Sequence, residues 1–231
     1  MSDVAMSPEV LIALGLTSDH MVRTASGALM DERAAEALCK LQSRADQAGF
    51  KLSIASAFRS YERQLTIFNA KWCGDRPVLD DNNTILLRED HTDEAWLHRI
   101  LRFSALPGTS RHHWGTDVDV FDPSLVPDGY ALQLTPSEYR EGGIFESLTQ
   151  WLDGLIANDD CEGFYRPYDR DRGGVSEEPW HLSFSPVASK SRSALTSESL
   201  RALWSNHADL RPKGYELVLH TLDDLMNRYV V

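Results

Sequence analysis

The 231 residues carry 23 Lys and Arg against 35 Asp and Glu, a net charge of -12 with His neutral, with 42% hydrophobic and 25% charged residues. That balance fits one globular domain, or a domain with a modest appendage, and excludes wholesale disorder and fibrous repeats. No clustered basic surface is present to neutralise phosphates, so nucleic acid and anionic membranes are poor partners.

No apolar run approaches the ~20 residues that span a bilayer, which argues against membrane insertion. The segment Met1 to Pro8 is acidic rather than basic, and the apolar stretch Val10 to Leu16 is short and lacks a convincing cleavage site. A cytoplasmic location is the resulting expectation, with periplasmic or released action as the alternative. Cys39, Cys73 and Cys161 are odd in number, far apart and without C-x-x-C spacing, so free thiols are expected rather than a disulfide framework or a cysteine zinc site.

In chain order, Asp31 to Ala48 has helical apolar spacing at Ala34, Ala35, Leu38, Leu41 and Ala45, with Gly49 at the C-terminal cap. A short strand is expected over Leu52 to Ala57. Ser60 caps a second helix that places Leu65, Phe68 and Trp72 on one face. Polar, turn-forming residues from Cys73 to Asp93 mark a surface excursion with a hairpin around Thr84 to Leu87. Beyond it come a helix over Glu94 to Phe103, an Asp/Val-alternating strand over Thr116 to Phe121 and a helix over Ile144 to Ile156. Short strands over Gly163 to Tyr165 and Trp180 to Phe184 follow.

The last residues read as a Ser-rich stretch from Ser189 to Ser199, then amphipathic helices over Leu200 to Leu210 and Glu216 to Tyr229. Two units are therefore expected: a main domain over 1–188 and a C-terminal helical appendage over 189–231 packed on it. Helix-rich ends around short strands, without regular βαβ alternation, argue for an α+β fold.

The chemistry concentrates in Ser110-Arg111-His112-His113-Trp114-Gly115-Thr116-Asp117-Val118-Asp119. In a strand, Asp117 and Asp119 share one face while Val118 and Val120 turn to the core, and paired carboxylates need a cation or hydrogen bonds between them. His112 and Asp119 are seven residues apart. On a straight strand that separation is ~23 Å on opposite faces, so the two meet at a metal only if the chain reverses near Gly115. A second stretch, Ser176-Glu177-Glu178-Pro179-Trp180-His181, sets a carboxylate and an imidazole three residues apart at the start of a strand, where Pro179 is tolerated. Two histidines, one aspartate and a nearby glutamate that is not a ligand make up the donor set and base of a zinc hydrolase.

The pattern Ser110-x-His112-x-x-Gly115-x-x-x-Asp119 with Glu178-x-Trp180-His181 resembles the zinc D-alanyl-D-alanine carboxypeptidase and dipeptidase family, which includes vancomycin-resistance D,D-peptidases and phage endolysins. Ser56-Ala57-Phe58-Arg59-Ser60-Tyr61-Glu62-Arg63-Gln64 looks like that family's S-x-[FY]-R-S-x-x-x-Q segment. The resemblance implies that His112, Asp119 and His181 bind Zn2+, that Glu178 is the general base and then acid, and that Arg59 meets the developing oxyanion. It further implies that Ser110 and Gln64 hold the substrate.

The implied fold is a small central antiparallel sheet flanked by helices, also seen in the hedgehog signalling domain. The implied substrate is a peptidoglycan peptide or muropeptide containing D-alanine. Two other readings follow from the same resemblance: a phage-type lysin or effector endopeptidase on intact wall, and a zinc-stabilised binding module. The family often carries a small residue where Asp117 stands, so Asp117 is expected to orient a ligand or read a substrate amine. His113 is expected beside the ligands or facing solvent, and Trp114 and Trp180 as packing walls. Glu177 adjoins Glu178, and only the E-x-W-H register selects the latter.

Overall fold

A computed structural model describes residues 6–230 of the chain, so the reading of Met1 to Ala5 as part of an acidic N-terminus lies outside the described residues. The elements run α1 (Pro8–Ala13), β1 (Met21–Arg23), β2 (Leu29–Asp31), α2 (Glu32–Gln47), β3 (Ser53–Ser56), α3 (Tyr61–Trp72), β4 (Val78–Leu79), β5 (Ile85–Leu86) and α4 (Asp93–Arg102). A 3-10 turn over Arg111–Trp114 precedes β6 (Asp117–Phe121), followed by α5 (Pro136–Tyr139), α6 (Glu146–Ala157), β7 (Phe164–Tyr165) and β8 (His181–Phe184). The chain closes with α7 (Ser185–Ala194), α8 (Ser197–Asn206), α9 (Tyr215–His220) and α10 (Leu222–Tyr229).

Strands β3, β6, β8 and β7, in that order, form an antiparallel sheet, and two small hairpins, β1–β2 and β4–β5, stand apart from it. The central pair fixes the chemistry through its register: Asp117 lies opposite Ser183, Val118 opposite Leu182 and Asp119 opposite His181. Because side chains alternate across a strand, Val118 and Val120 point into an apolar cluster with Leu182, Leu148 and α2, while the aspartates take the other face. The α+β class with a small antiparallel sheet is therefore what the chain forms.

Helix α2 begins where Asp31 accepts hydrogen bonds from the Arg33 and Ala34 amides, and buries Ala34, Ala37, Leu38, Leu41 and Ala45. Ser60 caps α3 by accepting from the Arg63 amide. The Ser60 cap matches the sequence reading, whereas Asp31, read there as the first helical residue, is the cap of α2. Departures lie at the ends. The apolar stretch after Ser7 is a short helix, α1, capped by that serine. Part of the Ser-rich stretch continues α7, which starts with Pro186 in its first turn and buries Ala188 and Ser191. The last expected helix breaks at Thr221, whose hydroxyl and amide both bond the Leu217 carbonyl, the back-bonding that bends helices.

A second apolar cluster joins α1, α3 and α4 to Leu195, Leu200, Leu203, Trp204, Val218, Leu222 and Leu225 of the C-terminal helices. Among the described residues no helix is long and apolar enough to cross a membrane. The cysteines are free, Cys39 and Cys73 at the surface and Cys161 buried.

Candidate active site

The reversal that the His112–Asp119 spacing demands occurs at Gly115. The 3-10 turn ends there with φ at 71°, in the left-handed region. A Cβ on Gly115 would lie 2.9 Å from the Asp31 amide nitrogen, which donates to the Gly115 carbonyl, so there is no room for a side chain. This turn carries His112 back over β6, and the β6–β8 register brings His181 beside Asp119.

His112, Asp119 and His181 are all buried, and one donor atom from each lies within 4.8 Å of the others. His112 Nε2 is 3.2 Å from Asp119 Oδ2, and His181 Nδ1 is 3.2 Å from Asp119 Oδ1. Donors bound at ~2.0–2.1 Å to a tetrahedral zinc stand ~3.3 Å from one another, so these separations suit such an ion. His112 Nδ1, Asp119 Oδ1 and His181 Nδ1 are buried without a hydrogen-bond partner. Unpaired buried polar atoms are costly. Such atoms on all three residues of a cluster whose donors converge from two strands and a turn fit a metal centre.

Burial alone would raise the Asp119 carboxyl, but His112 and His181 outweigh it and hold the group ionised far below the usual carboxylate range. Burial likewise opposes a charge on His181, yet hydrogen bonding to Asp117, Asp119 and Glu178 raises its pKa well above that of an ordinary imidazole.

Asp117 is fully buried behind His181 and does not face the pocket. It accepts from Arg111 Nε at 2.8 Å, Thr116 Oγ1 at 2.6 Å, Ser183 Oγ at 3.1 Å and His181 Nε2 at 2.9 Å. Against the effect of burial, Arg111 and His181 hold it down to about 2. An ionised carboxylate only accepts, so His181 donates its Nε2–H to Asp117, which leaves Nδ1 as the nitrogen that a metal would take in place of a proton. Of the two roles read from sequence, orienting a ligand is the one its position supports. Arg111 completes the pair by donating to Ser183 and Tyr165 and stacking over Trp114.

Glu178 sits at the pocket wall, its Oε2 3.2 Å from His181 Nδ1, with its amide bonded to the Tyr168 carbonyl. Glu177 instead pairs with Arg140 away from this pocket, in agreement with the register that selects Glu178. Arg59 lines the same pocket. Its guanidinium donates to Gln64 Oε1 at 2.9 Å and toward Ser56 Oγ at 3.4 Å. Burial lowers its pKa, while Asp119 and Glu178 favour the charge.

Gln64 is fully buried, absent from the pocket wall, and spends its amide on Ser104 and the Ala105 carbonyl. Its place is that of a brace for Arg59, in contrast to the substrate contact expected of it. Ser110 does line the pocket.

His113, expected beside the ligands or facing solvent, is completely buried behind the site. Its Nδ1–H donates to the Arg59 carbonyl at 2.6 Å and its Nε2 accepts from the Gly108 amide at 3.1 Å. Burial, against the pull of the Arg59 carbonyl, presses its pKa down to about 3 and keeps it neutral, as one donor and one acceptor nitrogen require. Trp114 and Trp180 are packed as expected, Trp180 against Tyr139 with one edge at the pocket. Sequence reasoning did not find Tyr168, whose ring stands edge-on to His181 at 5.0 Å, nor Lys71 and Arg76 in the pocket wall. No motif spacing marks any of the three.

The sequence profile described as VanY, D-alanyl-D-alanine carboxypeptidase, matches residues 27–187. An uncharacterised Haemophilus influenzae protein is 35% identical over 128 residues, covering 54% of this chain and 93% of its own. The putative carboxypeptidase YodJ of Bacillus subtilis is 27% identical over 158 residues, covering 66% of this chain and 45% of its own length. The structure of VanYB in complex with D-alanine-D-alanine superposes with a TM-score of 0.51 at 23% identity, over 78% of this chain and 87% of that one, which shows a shared fold. With the profile spanning most of the chain and the described site geometry inside it, the protein belongs to the VanY D-alanyl-D-alanine carboxypeptidase family.

Proposed function

We propose that the chain is a zinc-dependent D,D-carboxypeptidase that removes D-alanine from peptidoglycan peptides. The observation that carries this reading is the convergence of three buried residues, His112, Asp119 and His181, with one donor atom of each within 4.8 Å of the others, beside Glu178 in one pocket. His112, Asp119 and His181 would hold the ion, with Asp117 orienting His181 from behind. Zinc bound there would supply Lewis acidity and lower the pKa of a bound water to ~7. Glu178, at the pocket wall, is placed to take a proton from the attacking water and return it to the leaving amine of D-alanine. Arg59, braced by Gln64 and Ser56, donates to the carbonyl oxygen as negative charge develops on it. Ser110 contacts the substrate backbone from the pocket wall.

The test is incubation of the zinc-loaded protein with a soluble muropeptide pentapeptide, followed by mass spectrometry. We expect loss of one alanine, suppressed by a chelator and restored by zinc. Glu178→Ala should retain zinc and lose at least about 100-fold in turnover, the lower end of what a general base contributes. Undiminished turnover in that variant, or turnover indifferent to the chelator, would overturn the reading.

A further inference from the structure

Eight arginines of this acidic chain, Arg44, Arg88, Arg102, Arg111, Arg140, Arg166, Arg172 and Arg201, pair with carboxylates. One of them, Arg111, lines the active-site pocket, and other cations of the chain stand outside such pairs. Arg59, Lys71 and Arg76 also line the pocket, and among the described residues none of the three has a carboxylate within ion-pair distance. Arg59 is committed to the reacting carbonyl in the function proposed above. Lys71 and Arg76 have no task in that chemistry.

Their placement follows from α3. Gln64, Ile67 and Lys71 fall at i, i+3 and i+7 on one face, the first bracing Arg59 and the other two lining the pocket. Lys71 is therefore ~10 Å farther along the helix axis than Gln64, and helical side chains lean back toward the N-terminus, in the direction of Arg59. Past the helix, Gly74 turns the chain with φ at 80°, and the amides of Asp75 and Arg76 both bond the Ala70 carbonyl. That closure returns Arg76 to the same wall. A lysine in a last helical turn is also favoured by the helix dipole. The dipole does not account for Arg76, which lies outside the helix.

We propose that Lys71 and Arg76 form a carboxylate-binding subsite that reads an anionic group of the peptide substrate beyond the reacting carbonyl. An ammonium and a planar guanidinium lining one pocket suit a carboxylate, the guanidinium by a two-point contact. Burial, with Arg76 and Arg59 adding to it and Glu178 opposing, draws the Lys71 pKa down to about 8, so an arriving anion relieves repulsion already present in the wall. Two groups on such a peptide carry this chemistry: the terminal carboxylate of D-alanine and the side-chain carboxylate of a diacid residue nearer the N-terminus. The subsite rests on the proposed carboxypeptidase reading, and its test separates the two.

Binding is measured by calorimetry on the zinc-loaded Glu178→Ala protein, with Lys71 and Arg76 intact or as Lys71→Met/Arg76→Met. The four pentapeptides end in D-alanine carboxylate or carboxamide, each with diaminopimelate or lysine at the third residue. We expect the double substitution to weaken binding at least 10-fold for peptides bearing the carboxylate that is read, and less than 2-fold for their counterparts lacking it. Lys71→Arg should retain the preference. Loss of the effect with the carboxamide assigns the subsite to the terminal carboxylate, and its loss with lysine assigns it to the diacid. Equal weakening of all four, no weakening, or no binding by any of them overturns the subsite. Carboxylate-dependent binding to a wild-type chain that cleaves none of the four leaves the subsite standing and removes the carboxypeptidase reading.

Discussion

At Asp117 a carboxylate is fully buried beside a compensating positive charge. A fully buried carboxylate and a buried guanidinium, Arg111, neutralise each other behind the metal site. Removing one partner leaves the other charge stranded. Asp117→Ala should cost about 3–5 kcal/mol in urea unfolding of the metal-free protein, whereas Arg111→Met with Asp117→Ala should recover most of it. Zinc affinity should not recover with stability. His181 loses the acceptor that fixes its tautomer in both variants, and affinity should fall about 10- to 100-fold in each. A double variant that is stable and binds zinc as tightly as the parent would refute the orienting role.

Short elements behind the site decide how firmly Arg59 is held, and they are the least legible part of the chain. The metal triad and Glu178 could be read through the resemblance of their motifs, taken together and in order, to a known family, while the Asp/Val alternation of β6 announces its faces. The partnership of His181 with Asp119 could not be derived from local pattern, since it depends on the β6–β8 register across more than sixty residues. Helix α1 is only six residues long, too short for periodicity to reveal, and its purpose is visible only in three dimensions. Gly15, just beyond it, accepts from the Tyr61 amide and leaves room for His113. A Cβ there would stand 2.4 Å from His113 Nδ1, the atom that holds the Arg59 carbonyl.

Gly15→Ala should therefore cost about 2–5 kcal/mol, combining the ~1–2 kcal/mol of a left-handed alanine with the ~1–3 kcal/mol of a displaced buried hydrogen bond. It should also lower kcat/KM by loosening Arg59. Gly27 also has a positive φ, but a Cβ there meets nothing within 4 Å, so Gly27→Ala should show only the backbone cost and unchanged turnover. Denaturant midpoints and kcat/KM for the two variants, measured together, check the argument. Equal losses of activity in both would remove His113 from it.

Over the whole molecule, the C-terminal helices join the core that positions the site rather than standing beyond it. The Tyr61 hydroxyl, at the start of α3, donates to the Leu210 carbonyl at 2.7 Å and accepts from Trp204 Nε1 at 2.7 Å. Leu200 closes over Gly108, whose amide supports His113, and Tyr229 reaches the pocket wall itself. The family profile stops at residue 187, so this part of the core lies outside the shared segment. Ending the chain at residue 188 would remove Leu195, Leu200, Leu203, Trp204, Val218, Leu222 and Leu225 from the apolar cluster. Each buried side chain of this kind contributes about 1.5–3 kcal/mol, and together, at roughly 10–21 kcal/mol, they are comparable to the ~5–15 kcal/mol by which a domain is stable. The 1–188 chain should accordingly lose its near-ultraviolet circular dichroism and its cooperative thermal transition. A cooperative transition with zinc binding intact in the truncated chain would show instead that residues 189–231 are an accessory, and that α3 and His113 hold Arg59 without them.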